Sequence, residues 1–109
     1  MKLALLNTSI ITSTGHYQLS DITLETARQM VSDNRYNLDS AIGHESTAEI
    51  MTKLLGIEIP FNRQQFAQQN GQSALVFKLN GRPPEGKILT IDEIEAIGYS
   101  FQLLEKLRS

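Results

Sequence analysis

The sequence predicts one small α/β domain, with a mixed sheet of five to six strands flanked by helices. Three observations carry that expectation. Strand-like and helix-like patterns interleave along the chain instead of falling into separate blocks. The helical patterns open near Thr23, Ser46 and Thr90, and serine and threonine are residue types that cap helices. The run Leu3-Ala4-Leu5-Leu6 shows no alternation, as a strand covered on both faces requires. At 109 residues there is room for one core and no second domain, so 1–109 reads as a single unit.

Taken in order, residues 2–7 form the first strand, with Leu3 and Leu5 on one face and Ala4 and Leu6 on the other. Apolar residues on both faces imply a central position covered by helices. Residues 8–15 are polar, carry the hydroxyls of Thr8, Ser9, Thr12, Ser13 and Thr14, and end on Gly15. Ligands of open α/β sheets bind beyond the carboxyl ends of strands, which makes Asn7 and Thr8 candidate contacts. Segments of this composition also serve simply as turns. Residues 16–19 suit a short strand.

Thr23 caps a helix reaching about Ser32, with Leu24, Ala27 and Val31 on one face, and Asp33-Asn34 ends it. Residues 36–42 alternate as a half-exposed strand that leads into Gly43-His44. Ser46 and Glu49 have capping-box spacing, so the second helix is expected over 47–55, burying Ile50, Met51, Leu54 and Leu55. Gly56 stops it, and Ile57 is placed for the accompanying apolar contact.

Beyond Pro60, residues 63–68 are ambiguous but can form a strand. Asn70-Gly71 is a hairpin signal that would fold them onto a buried strand over 73–80. Residues 81–87 (Gly-Arg-Pro-Pro-Glu-Gly-Lys) read as an exposed loop. Thr90 and Glu93 form a second capping box, opening a short helix with Ile91, Ile94 and Ile97 inward and Gly98 as its stop. The alternation from Tyr99 predicts a last strand.

The charge balance is nearly even, ten basic against twelve acidic residues for a net −2, so the broad basic footprint that grips duplex DNA is missing. A small anion held by a few placed cations needs only local charge. Cysteine is absent, which removes disulfides, thiolate ligands and thiol nucleophiles. No apolar run approaches the roughly 20 residues of a membrane helix, and the N-terminal apolar run is too short for a secretory signal. The default expectation is a cytoplasmic protein without a membrane partner.

Three loci carry candidate chemistry. The first is Gly43-His44, at the approach to a helix N-terminus, where unpaired backbone N–H groups favour anions and an imidazole sits alongside. A lone histidine near a cap can equally be a surface residue. The second is Asn7-Thr8. The third is the loop with Arg82, Glu85, Gly86 and Lys87, whose charged tip and glycine ends suit a lid over an anion as well as a solvated connection. Arg63 offers a further guanidinium fork for phosphate. Neither His16 nor His44 has a second ligand at metal spacing, and no P-loop, GxGxxG or GxSxG motif occurs. One histidine, one carboxylate and several phosphate binders suit transesterification of RNA, where the ribose 2′-OH is the nucleophile and the protein protonates the leaving 5′ oxygen.

The stretches Ala41-Ile42-Gly43-His44-Glu45-Ser46-Thr47, Asn62-Arg63, and Gly81-Arg82 with Glu85-Gly86-Lys87-Ile88-Leu89 resemble a family of small viral and mobile-element proteins. Its members include anti-CRISPR ring nucleases, which destroy the cyclic tetra-adenylate messenger of type III CRISPR systems. The resemblance is good from Ile42 onward and weak over the N-terminal third, apart from Asn7. It implies a homodimer with the ligand pocket across the two-fold axis. It further implies His44 as general acid, Glu85 in support, and Arg63 and Arg82 on the cyclic nucleotide. Groups near Asn7 also contact it, and no metal or other cofactor is used. Pro83 and Pro84, which replace more varied residues, and the 8–15 segment depart from the family pattern. An isologous dimer would give the ring equivalent His44 residues, each serving one of two opposite phosphates. Two other readings stay open: a module that sequesters a cyclic oligonucleotide without cutting it, and a protein that binds nucleic acid or a partner for a mobile element. The acidic balance argues against duplex DNA.

Overall fold

The computed structural model describes residues 1–81 and 88–108. Its central element is β1, Leu3–Leu6, in which all four side chains are buried. Strand β1 runs parallel to β3 (Leu38–Ser40) on one side and to β4 (Ser73–Leu79) on the other. Strand β5 (Tyr99–Arg108) pairs antiparallel with β4 and with β2 (His16–Ile22), giving a five-stranded mixed sheet of order β2-β5-β4-β1-β3. The unalternating leucine run thus occupies an interior strand, as its pattern predicts.

Three helices complete the described residues: α1 (Leu24–Asp33), α2 (Glu45–Leu55) and α3 (Ile91–Ile97). They all cover the same face of the sheet. Ala27 and Val31 of α1, Ile50, Met51 and Leu54 of α2, and Ile94 of α3 share one core with Leu3, Leu5, Leu75, Phe77 and Phe101. Phe77, Tyr99 and Phe101 form a ring cluster within it, with centroids 5.2–6.0 Å apart. The expected inward set on α3 is only partly realised: Ile94 is buried, but Ile91 is 47% exposed. No helix among the described residues is long and apolar enough to cross a membrane.

Among the described residues the opposite face is covered without helices, which corrects the expectation of helical cover on both faces of β1. Ala4, Leu6, Ala74, Val76 and Leu104 are buried there beneath Phe66, with Ile10 and Tyr17 packed alongside. Two irregular segments supply this cover, and polar side chains fasten them. Thr12 Oγ1 donates to Phe66 O at 3.1 Å, and the buried Lys106 ammonium donates to Ser13 Oγ at 2.8 Å. Gln68 Nε2 donates to the carbonyls of Gln72 and Leu104 at 2.7 and 2.9 Å.

This corrects the expected hairpin over 63–80. Asn70-Gly71 does turn the chain, with Gly71 at φ 80°, but residues 63–68 are not a strand. Both edges of β4 are taken by β1 and β5, so no edge remains for them to pair with. Their amide side chains replace the missing backbone ladder by bonding sheet carbonyls directly.

Candidate functional site

Parallel β1 and β3 point their carboxyl ends the same way. Leu5 lies opposite Ser40, so Asn7-Thr8 and Ile42-Gly43 both follow the pair at the same end of the sheet. The backbone continues the link, Ala41 N donating to Leu5 O at 2.9 Å. Strand β4 ends at the same side, since Leu6 lies opposite Val76 and the chain then leaves through Asn80 and Gly81. The carboxyl ends of three parallel strands therefore converge, which is where open α/β sheets place ligands.

His44 is itself the N-cap of α2, with extended backbone at φ −133° and ψ 126°. This corrects the expected start at Thr47: the Ser46–Glu49 capping box does not form, and no side chain caps the helix. The cause is tertiary. Residues 41–43 are pinned before the helix begins, by Ala41 N to Leu5 O and by Asn62 N to Ile42 O at 3.0 Å, so the chain enters α2 straight from an extended run. The other two helices are capped by Thr23 and Thr90, the latter in a full capping box. Among the described helices, α2 is the one whose N-cap side chain makes no capping hydrogen bond, and that side chain is an imidazole. The His44 side chain is exposed and has no hydrogen-bond partner among the described residues.

Arg63 comes to the same place through the chain rather than through an ion pair. Asn62 is held to Ile42, and a β-carbon on Gly43 would stand 3.6 Å from Arg63 Cγ. The stem of an exposed guanidinium thus lies against the half-buried glycine that precedes His44. Gly43 is not in the left-handed region, so its role is close approach and not a special turn. Asn7 is half-buried and Thr8 exposed at the adjoining strand end. Arg82, Glu85, Gly86 and Lys87 lie outside the described residues.

The sequence signals therefore bring Asn7, Thr8, Gly43, His44 and Arg63 to one end of the sheet. Hydroxyls of Thr12 and Ser13, grouped with Thr8 by composition, go elsewhere, onto the helix-free face. Sequence reading gives Ser40 and Gln64 no role in the site and marks Asn62 only as part of the Asn62-Arg63 motif, yet the three tie 39–42 to 60–64. Ser40 looked like one alternating position of a half-exposed strand, and nothing local marks it as a buried junction.

A groove of about 450 Å³ flanks the site along the outer side of α2. Glu45, Glu49 and Glu58 rim it, Lys53 donates to Leu89 O at one wall, and Phe61 and Ile88 supply its apolar surface. It contains neither His44 nor Arg63. Its three carboxylates make it a poor seat for a polyanion. Among the described residues no three His, Asp or Glu side chains gather in metal-ligand geometry.

Comparison with known proteins agrees with this geometry at the level of fold and family. The chain is 42% identical to YddF of Bacillus subtilis over 109 residues, covering 98% of this chain and 99% of that one. It is 38% identical over 86 residues to protein 26 of a Sulfolobus islandicus filamentous virus, covering 78% of this chain and 71% of the viral one. The structure of B116 from Sulfolobus turreted icosahedral virus superimposes with a TM-score of 0.84 at 23% identity, over 96% of this chain and 99% of that one. The STIV B116-like family model matches residues 3–101, and with a full-length relative at 42% identity the conclusion is direct: the chain belongs to the STIV B116-like family.

Proposed function

We propose that this protein is a metal-independent ring nuclease that opens cyclic tetra-adenylate into linear di-adenylates ending in 2′,3′-cyclic phosphate, and so switches off type III CRISPR signalling. The observation that carries the reading is an exposed imidazole at the uncapped N-terminus of α2, with the Arg63 stem against the glycine before it. Backbone amides of the first turn and the guanidinium supply donors for a phosphodiester, although the Glu45 carboxylate shares that first turn.

In the proposed step the ribose 2′ oxygen, losing its proton to solvent, bonds to phosphorus. The P–O5′ bond breaks as His44, in its imidazolium form, hands a proton to the departing 5′ oxygen. Arg63 and the α2 amides hold the phosphate as negative charge grows on its oxygens. From the family resemblance, Glu85 assists and Arg82, Gly86 and Lys87 add ring contacts. Two copies related by a two-fold axis would present two such sites to one ring. Cleavage in a single-turnover assay with His44→Ala tests the assignment. A general acid is worth about 10²–10⁴ in rate, and that loss is expected with folding and ring binding intact. A loss below several-fold rejects the role.

One observation favours a second reading, sequestration without cleavage. The His44 ring has no orienting partner among the described residues, whereas a general acid or base is usually held by a third group. Chromatography of the nucleotide after incubation separates the two, since sequestration returns an intact ring.

A further inference from the structure

We infer that Ser40, Asn62 and Gln64 form a positioning brace that sets Arg63 against the Gly43-His44 turn, an assignment that rests on the ring-nuclease reading for its role in cleavage. The chain reaches the site by two separate routes: residues 41–44 out of β3, and residues 60–63 after the second helix. Both routes are tied to one residue. Ser40 is only 4% exposed, and its Oγ donates to Pro60 O at 2.6 Å while accepting from Ile42 N at 3.3 Å. Its carbonyl accepts twice, from Asn62 Nδ2 at 2.8 Å and from Gln64 Nε2 at 2.6 Å, which fills both lone pairs. Asn62 N donates to Ile42 O at 3.0 Å, and Gln64 Nε2 also reaches Asp39 Oδ1 at 2.9 Å.

Arg63 is thus flanked on both sides in sequence by residues anchored to the same carbonyl. Its own backbone has little freedom left, although residues 61–65 are exposed and belong to no helix or strand. That is unusual economy for a surface loop, because exposed irregular segments are ordinarily the mobile part of a domain. The anchoring also lies on the free edge of β3, where amide side chains block an unpaired strand. A pure edge plug would need no relation to Arg63. A positioning brace would, and that difference is measurable.

The test uses the full chain in four forms: wild type, Asn62→Ala, Arg63→Ala and the double variant. Cleavage of cyclic tetra-adenylate is followed at low and saturating ring, with thermal unfolding alongside. Misplacing a phosphate-binding group is expected to lower kcat/KM roughly tenfold in Asn62→Ala, and by less than twofold when Arg63 is already alanine. An equal loss in both backgrounds, or none in either, overturns the brace. Gln64→Ala, which removes the second amide from the same carbonyl, stands in if Asn62→Ala does not fold. A wild-type chain that neither cuts nor binds the ring ends the nuclease reading, and the brace is then decided by backbone ¹⁵N relaxation. Loss of order at residues 43, 44 and 63 in Asn62→Ala, with β1 and β4 unchanged, supports it, and unchanged order at those residues overturns it.

Discussion

At the residue scale, His44 and Arg63 are asked to do different things, and their variants should separate. On the proposed mechanism His44→Ala removes the proton donor and should lower the rate with little effect on affinity. Arg63→Ala removes a charge-assisted donor and should weaken ring binding by about 1.5–3 kcal/mol, read by calorimetry with the His44→Ala chain as background. Lysine is a poor substitute, because one ammonium cannot reproduce a planar fork. Gly43→Ala is the sharper probe of backbone approach. The glycine is outside the left-handed region and an added methyl meets only an ordinary contact at 3.6 Å, so stability should change by no more than about 0.5 kcal/mol. A large loss of ring affinity at unchanged stability would show that the ligand comes against that backbone.

Among the elements, the caps supply the cleanest contrast. Thr90→Ala breaks a full capping box and should cost about 0.5–2 kcal/mol in urea unfolding. Ser46→Ala should cost almost nothing, since the capping box its spacing suggests is not made. Gly56, at φ 74°, ends α2 in the left-handed region, and Gly56→Ala should cost about 1 kcal/mol. Much of this level was legible in the sequence. Leu3–Leu6 announced an interior strand, Thr23 and Thr90 announced their helices, and Gly56 marked its stop. What misled was local chemistry that tertiary bonds overrode. The start of α2 is set by Asn62 and Leu5 holding residues 41 and 42, and residues 63–68 are set by amides reaching sheet carbonyls. Neither bond has a short-range signature. The same limit applies to the site: His44 and Arg63 each carry a readable motif, but the Ser40 junction joining them shows only in three dimensions.

For the whole molecule, the three helices of the described residues lie on one face of the sheet, and the convergent carboxyl ends of β1, β3 and β4 leave the candidate site at an end rather than in the core. Such a site can be exposed without weakening the fold. A ring with a two-fold axis fits a protein with one, so light scattering is expected to give twice the chain mass, and a monomer that still cuts would remove the shared-pocket arrangement. The claim on which the account turns is that an imidazole at the mouth of α2 protonates a leaving 5′ oxygen. The most direct measurement is the identity of the product after purified protein meets cyclic tetra-adenylate in chelator. Linear di-adenylate bearing a 2′,3′-cyclic phosphate, formed by wild type and absent with His44→Ala, is the predicted result. An intact ring with wild type, or the same product at the same rate from His44→Ala, contradicts it.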